Sequence, residues 1–299
     1  MPFFEVDGQR LAYTEYGGGP AEVKPDGRRG RTARRAPAAG RPLILLHGLL
    51  LSQRMHTPLA EDLAARGNRV VTLDLLGHGQ SDQPRDMWRY SMELFSEQLL
   101  ALLDHLEMPQ AAVMGTSLGA NVSLELAARH PDRVRGMVIE MPVLDNGLLA
   151  SALAFTPLLV SLTFGEQVMK IVAKGTRLVP GRLMPYYADV MLDVLRRDPG
   201  PGGALLQGLF FGRTAPPRTI RRTIQTPTLI LGHERDPVHP FSDAGMLAEE
   251  MPNSTLIRAN SIVELRRSPE RLTAQIGAFL DDIWRRTPRR SSAGAGARG

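Results

Sequence analysis

Cysteine is absent from the 299 residues, which excludes a disulfide framework, thiolate catalysis and cysteine-ligated metal sites. Aromatic residues are scarce at 5%, and no aromatic-studded basic face or nucleic-acid reader motif is found. The first ten residues, MPFFEVDGQR, lack the basic start and long apolar stretch of a signal peptide. We therefore expect cytoplasmic residence and no nucleic-acid partner.

Charge is unevenly distributed along the chain. The formal net charge is +5 and the isoelectric point is near 9.9. Residues 17–42 carry seven Lys or Arg against two acids, and residues 285–299 carry five Arg and no acid, so the remaining body has a net charge of −5. We expect these two low-complexity segments to be a disordered basic insert and a disordered basic tail, both solvated.

A Gly-x-Ser-x-Gly pentapeptide, Gly115 to Gly119, is the most informative motif. An apolar strand-like run precedes it and a helical pattern follows it. A serine on such a sharp turn needs small neighbours, because the backbone approaches too closely for a Cβ. The helix that follows would direct its N-terminal amides at the site. This context favours Ser117 as a nucleophile over a structural turn serine.

Short apolar runs alternate with helical patterns over the rest of the chain, which predicts a mostly parallel sheet with helices on both faces. Such sheets place their sites at the carboxyl ends of the strands. We expect one α/β core built from residues 1–16, 43–141 and 226–284. Residues 142–225 are apolar, helical and poor in strands, which predicts a helical cap inserted after strand six.

Within the predicted cap, residues 148–164 form the most hydrophobic stretch of the chain. The stretch is short for a membrane span and contains Pro157 and several hydroxyl residues. We therefore expect membrane contact to be absent and the stretch to cover a pocket. A lipophilic small molecule is the partner that such a lid favours. The oligomeric state is left open.

Three signatures together resemble those of the α/β-hydrolase superfamily, in its cap-bearing, esterase-like branch. They are Leu45-Leu46-His47-Gly48, then DLLGHGQSD at residues 74–82, then Gly115 to Gly119, in the order that the family shows. The resemblance implies a Ser117 nucleophile and an oxyanion hole formed by the amides of Leu49 and Leu118. It also implies that Asp236 is the orienting acid. It assigns structural roles to a further set of residues: His47, Gly48, His78, Gly115 and Gly119.

The catalytic histidine of this family follows the last strand, but the corresponding segment, residues 259–270, contains none. No histidine occurs after His239. Without a base, a serine hydroxyl is a poor nucleophile at neutral pH. His239, three residues beyond Asp236, is our preferred candidate over His56 and His233. We hypothesise a rearranged relay of Ser117, His239 and either Asp236 or Glu140, the latter at a position that relatives resembling haloalkane dehalogenases use for the acid.

Two functions follow from this pattern. The first is a serine hydrolase acting on a small lipophilic ester, lactone or related acyl compound. The second is a catalytically weakened binding protein for an apolar ligand or a protein partner, because the turn and oxyanion loops would persist in either case. We expect no cofactor, and no metal site, because no His or carboxylate cluster has ligand spacing outside the loops already assigned.

Overall fold

The computed structural model describes residues 1–18 and 40–286. Its core is one sheet with strand order β1-β2-β4-β3-β5-β6-β7-β8, in which β1 and β2 are antiparallel and the others are parallel. The strands are β1 (Phe3–Val6), β2 (Gln9–Tyr16), β3 (Arg41–Leu46), β4 (Asn68–Leu73), β5 (Ala111–Thr116), β6 (Val134–Glu140), β7 (Thr228–His233) and β8 (Ser254–Ala259). The predicted fold class, an α/β-hydrolase fold with a mostly parallel sheet, is confirmed.

Eleven α-helices are found in the described residues. They are α1 (Thr57–Ala65), α2 (Met92–His105), α3 (Leu118–Arg129), α4 (Leu148–Phe164), α5 (Glu166–Arg177), α6 (Tyr186–Arg196), α7 (Pro199–Phe211), α8 (Arg218–Arg221), α9 (Phe241–Glu250), α10 (Glu264–Arg267) and α11 (Glu270–Arg285). The helices cover both faces of the sheet, as the strand-helix alternation predicts.

Alternate residues of the central strands supply two apolar layers. On β3, Ile44 and Leu46 pack toward α2 and α3, whereas Leu43 and Leu45 pack toward α1 and α11. All four side chains are fully buried. Both faces of β3 are therefore covered, which explains its continuous apolar run.

Helices α4 to α8 all lie between β6 and β7 in the chain. This segment is helical and without a strand, as the sequence pattern of residues 142–225 predicts. Its role as a cap stays a prediction. The predicted basic insert and basic tail fall mostly on residues 19–39 and 287–299, which lie outside the described residues.

No helix in residues 1–18 and 40–286 is, by itself, both long and apolar enough to cross a membrane. Helices α4 and α5 reach the required length and hydropathy only as a pair, and they are bent by 102° relative to each other.

Candidate active site

The carboxyl ends of β3, β5, β6 and β7 meet along one edge of the sheet. Parallel register sets Leu46 beside Gly115, Thr116 beside Glu140, and Glu140 beside Leu231. The chain leaves each strand at this edge, so the loops after these four strands converge. Residues that are far apart in the sequence are thereby brought together.

Ser117 occupies a strained turn between β5 and α3. Its backbone has φ 53° and ψ −109°, a left-handed conformation that costs free energy for a residue with a Cβ. Its amide donates a hydrogen bond to the carbonyl oxygen of Glu140 at 2.9 Å. The turn thus holds the serine at the sheet edge in a fixed orientation.

The two glycines of the pentapeptide are required because neighbouring backbone lies very close to them in this turn. A Cβ on Gly115 would lie 2.1 Å from the backbone of Gly119, and a Cβ on Gly119 would lie 2.4 Å from the carbonyl oxygen of Leu46. Either contact is far below the van der Waals distance and involves backbone, which cannot move aside cheaply. The steric reason for the Gly-x-Ser-x-Gly spacing is therefore visible in the fold.

His239 lies between Ser117 and Asp236. Its Nε2 is 2.8 Å from Ser117 Oγ, and its Nδ1 is 2.9 Å from Asp236 Oδ2. With the proton on Nδ1 donated to the carboxylate, Nε2 is free to accept the serine proton. The three side chains form the nucleophile, base and acid arrangement of a serine hydrolase, with the base in an unusual place in the sequence.

Asp236 is fixed by its own loop. Its Oδ1 accepts hydrogen bonds from the amides of Val238 and His239 at 2.8 and 2.9 Å. Burial raises the pKa of this carboxyl, but the hydrogen bond and charge interaction with His239, together with the two amides, outweigh burial and lower the pKa below its ordinary value. Asp236 is therefore a stable anion that can orient the imidazole.

Glu140, the alternative acid, makes different contacts. Its Oε2 accepts hydrogen bonds from Thr116 Oγ1 at 2.5 Å and from Arg266 Nη2 at 2.7 Å. Burial raises the pKa of Glu140, but the Arg266 guanidinium and the neighbouring His233 lower it well below its usual range. Within the described residues it has no hydrogen bond to His239. Of the two acids in the hypothesis, the structure brings only Asp236 to the base.

The other two candidate bases do not reach Ser117. His233 Nδ1 is 2.9 Å from the carbonyl oxygen of Ser261, and its Nε2 is 3.7 Å from Glu140 Oε1. His56 Nε2 is 3.0 Å from the carbonyl oxygen of Leu46, and burial lowers the pKa of its ring to about 3. Both rings are held in the interior by backbone carbonyls.

The two family histidines serve the architecture. His47 Nδ1 lies 2.9 Å from the carbonyl oxygen of Gly48, and its Nε2 accepts a hydrogen bond from the amide of Leu75 at 3.1 Å. His78 Nδ1 lies 3.0 Å from the carbonyl oxygen of Leu76. Burial lowers the pKa of both rings. His47 thus connects the loop after β3 to the loop after β4, and the His78 ring lies against it with ring centroids 4.6 Å apart.

Arg266 is the residue that sequence reasoning missed. It lies on α10, in the segment after β8 where the family has its histidine. Its guanidinium donates hydrogen bonds to the Glu140 carboxylate and to Thr116 Oγ1. Thr116 directly precedes Ser117. The segment contains two adjacent arginines, Arg266 and Arg267, and nothing in their local pattern indicates that one of them pairs with Glu140.

Two backbone amides lie beside the nucleophile. In residues 1–18 and 40–286, no acceptor receives a hydrogen bond from the amide of Leu49 or of Leu118. Both residues line the same cavity as Ser117. Two free amides next to a reacting carbonyl are the donors that an oxyanion needs. Leu118 is also the first residue of α3, whose dipole favours negative charge there.

The cavity at Ser117 has a volume of about 150 Å³ and is mostly apolar. Its walls come from the loops of the sheet edge and from α4 and α7. Apart from Leu49, Ser117 and Leu118, it is lined by Met92, Asn121, Val143, Leu148, Ser151, Ala152, Phe155, Leu209, Phe210 and Thr214. A volume of this size holds a group about as large as benzene. In the part of the chain that the structure describes, no three His, Asp or Glu side chains are grouped as metal ligands.

Comparison with known proteins supports the fold. The family profile described as the alpha/beta hydrolase fold matches residues 41–178. The chain is 28% identical over 237 residues to a 2-hydroxymuconate semialdehyde hydrolase of Pseudomonas putida, covering 73% of this chain and 78% of that protein.

Solved structures show the same fold. The enol-lactonase of Burkholderia xenovorans superposes with a TM-score of 0.71 at 20% identity, covering 94% of this chain and 100% of that one. A thermophilic esterase of Thermogutta terrifontis superposes with a TM-score of 0.69 at 20% identity, covering 94% and 97%. The names of these relatives are those of hydrolases, and the solved structures share the fold over most of this chain. The chain has the α/β-hydrolase fold, and the match over residues 41–178 supports its assignment to the α/β-hydrolase superfamily.

Proposed function

We propose that this protein is a serine hydrolase of a small lipophilic ester, lactone or related acyl compound. The observation that carries the proposal is the chain of two short contacts from Ser117 Oγ through His239 to Asp236, at 2.8 and 2.9 Å. Reach between nucleophile and base is the first geometric requirement for this chemistry. The names of the relatives, a semialdehyde hydrolase, a lactonase and an esterase, support the same reaction class.

In the proposed reaction, Ser117 Oγ attacks the substrate carbonyl while His239 Nε2 takes the hydroxyl proton. The amides of Leu49 and Leu118 stabilise the negative oxygen that forms. His239 then donates its proton to the leaving group, which departs and leaves an acyl-enzyme. A water molecule, deprotonated by His239, hydrolyses the ester to Ser117 and restores the free enzyme.

The substrate class follows from the cavity. Its apolar walls and its volume of about 150 Å³ suit a short acyl chain or a single ring. Asn121, the amide side chain in the wall, donates its hydrogens to the carbonyl oxygens of Val143 and Thr214 at 2.8 Å each, so it is not free to bind a polar substrate group. We propose that residues 142–225 act as the cap, since α4 and α7 close one side of this cavity.

Labelling with a fluorophosphonate probe tests the proposal. We expect a stable phosphonyl adduct on Ser117, located by peptide mass spectrometry. The adduct should be absent in Ser117→Ala and formed much more slowly in His239→Ala. Ser161→Ala is the matched control, because its hydroxyl lies on α4 and bonds the carbonyl oxygen of Pro157; it should label at the wild-type rate.

Absence of labelling in a folded protein would contradict the proposal and favour the alternative, a binding protein for an apolar ligand. Circular dichroism establishes that each variant is folded. Cytoplasmic residence and the absence of nucleic-acid partners and cofactors stay predictions from the sequence.

A further inference from the structure

Helices α4 and α5 present a continuous row of exposed apolar side chains, which we call the outer stripe. Its members are exposed by between 49% and 85%. They are Leu149, Leu153, Val160, Phe164, Val168, Ile171 and Leu178. Contiguous exposed apolar surface of this kind marks an interaction site.

Within each helix the members of the outer stripe share one face. On α4 they follow at intervals of four, seven and four residues, and on α5 and its C-cap residue at intervals of three and seven, the spacing of side chains that lie above one another on a helix. The opposite face of α5 packs inward, where Ala173 is buried and Met169 contacts the core. Amphipathic helices normally bury their apolar face, but α5 also has an apolar face on the outside.

Positive charge accompanies the outer stripe. Residues 148–186 contain four cationic residues, Lys170, Lys174, Arg177 and Arg182, against one acid, Glu166. That acid is neutralised by Lys170 at 2.9 Å and by Arg85 at 3.1 Å. Lys174 lies on the outer stripe itself, between Ile171 and Leu178, and is exposed. The surface is therefore apolar with a cationic excess.

We propose that the outer stripe docks on an anionic lipid bilayer surface. Apolar side chains next to Lys and Arg, on a helix that lies flat, are the physical signature of interfacial membrane binding. The sequence pattern alone disfavours membrane contact, because the stretch is short and interrupted for a span, but it does not reveal which side chains face outward.

Two other occupants fit the surface less well. The 102° bend between α4 and α5 prevents the pair from forming one straight span, so the helices lie at the interface rather than across the bilayer. A second copy of the chain docking through the same surface would bring a cationic excess to both sides of the contact, and like charges oppose such a contact. An anionic headgroup layer attracts the same charges.

The position of α4 gives the docking a consequence for ligand access. Ser151, Ala152 and Phe155 of this helix line the Ser117 cavity, whereas Leu149 and Leu153 belong to the outer stripe. One helix thus separates the cavity from the proposed bilayer. The docking itself does not depend on the proposed serine chemistry.

Co-sedimentation of the full-length protein with vesicles tests the proposal. We expect binding to vesicles of phosphatidylcholine mixed with phosphatidylglycerol, and weaker binding to phosphatidylcholine alone. The triple variant Phe164→Ser, Ile171→Ser, Leu178→Ser should bind at least about tenfold more weakly, because three apolar side chains no longer enter the interface. Phe3→Ser, an exposed apolar residue on β1, is the control and should bind as the wild type does.

The triple variant keeps every charge, so it distinguishes the outer stripe from the basic segments at residues 17–42 and 285–299. Unchanged binding of the triple variant would overturn the proposal and assign lipid binding to those segments. Absence of binding to either vesicle would also overturn it. So would a concentration-dependent dimer in sedimentation velocity that the triple variant abolishes, since it would assign the outer stripe to a second copy.

A single labelled cysteine provides a measurement that leaves most of the stripe intact. Because the chain has no cysteine of its own, Ile171→Cys can carry an environment-sensitive fluorophore as the only label. Its emission should shift to shorter wavelength when anionic vesicles are added, whereas the label on Phe3→Cys should not respond. Equal responses at the two positions, or none at Ile171→Cys, would contradict insertion of the outer stripe.

Discussion

Two histidine–carboxylate pairs lie at the same edge of the sheet, and of these two only the first contacts Ser117. In the first, His239 and Asp236 contact each other at 2.9 Å, and the histidine side chain is 16% exposed. In the second, His233 and Glu140 are 3.7 Å apart and both are fully buried. The imidazole of the first pair lies within hydrogen-bond distance of Ser117 Oγ, whereas the ring nitrogens of His233 lie near the carbonyl oxygen of Ser261 and the Glu140 carboxylate.

The second pair differs from the first because Arg266 also contacts its carboxylate, Glu140. Arg266 compensates the charge of Glu140, and Thr116 takes up another of its acceptor sites. The main-chain carbonyl of Glu140 also receives the amide of Ser117. A carboxylate engaged in this way holds the turn in place. Among the described residues, the His239 imidazole is the one side chain that hydrogen-bonds Asp236, so this carboxylate is available to orient a base. The comparison shows that the remaining partners of a carboxylate decide its role.

The largest expected effect is a difference in kcat between variants of His239 and His233. His239→Ala should lower kcat on a short-chain aryl ester by about 10⁴- to 10⁶-fold, because Ser117 loses its base. His233→Gln is the matched control and should keep kcat within about tenfold of wild type. Steady-state kinetics on folded protein makes the measurement. If His233→Gln lost activity and His239→Ala kept it, the assignment of the base would be wrong.

Variants of the two acids, Asp236 and Glu140, should also differ in kcat, by a smaller factor than variants of the two histidines. Asp236→Asn should lower kcat by about 10⁴-fold with the fold intact, because the amide favours the wrong imidazole tautomer. Glu140→Gln should reduce the melting temperature more than it reduces kcat. A larger loss of kcat in Glu140→Gln than in Asp236→Asn would make Glu140 the orienting acid.

Replacing Arg266 should affect the stability of the fold more than it affects kcat. Arg266→Met leaves the buried carboxylate of Glu140 without its cation and should lower the free energy of unfolding by about 3–5 kcal/mol. The double variant Glu140→Gln, Arg266→Met should recover part of this loss. Arg129→Met, which breaks a surface pair with Glu97, should cost at most about 1 kcal/mol. Urea unfolding measures all three, and equal effects at Arg266 and Arg129 would contradict the buried pair.

The smallest effect concerns pH. Burial lowers the pKa of His233, but the adjacent Glu140 carboxylate raises it by more than burial lowers it. The pKa therefore lies above its ordinary value of 6.5. The stabilisation from this pair is therefore complete below that ordinary value and is lost as the pH rises through the raised pKa. The free energy of unfolding should fall over this range in the wild type, and the fall should be reduced in His233→Gln. His130→Gln, at the surface, is the control; a fall of equal size in the wild type and His233→Gln would exclude this histidine as its source.

Much of the fold could be predicted from the sequence because its signals are local. Buried parallel strands read as short apolar runs, such as Leu43 to Leu46, and helix α2 shows its apolar residues at helical spacing after Ser91, whose hydroxyl accepts a hydrogen bond from the amide of Leu94. The turn at Ser117 is local too, since the glycines that it needs lie two residues away on either side.

The choice between Asp236 and Glu140 could not be made from the sequence. Both follow strands that end at the same edge, and the deciding contact joins Glu140 to Arg266, 126 residues further along the chain. The side chains that α4 and α5 expose could not be predicted from the sequence either. Residues 148–164 are apolar on every side of the helix, so no periodicity indicates the exposed side. Side-chain direction in both cases depends on tertiary packing.

The loop that holds both Asp236 and His239 has one further consequence. In relatives whose histidine follows the last strand, the two groups come from separate segments and meet only when the whole sheet has assembled. Here two residues separate them, and the aspartate also accepts hydrogen bonds from the amides of Val238 and His239. The proposed acid and base therefore lie in one short loop, which a small deletion would remove as a unit and which an engineer could transplant into another protein by exchanging that loop.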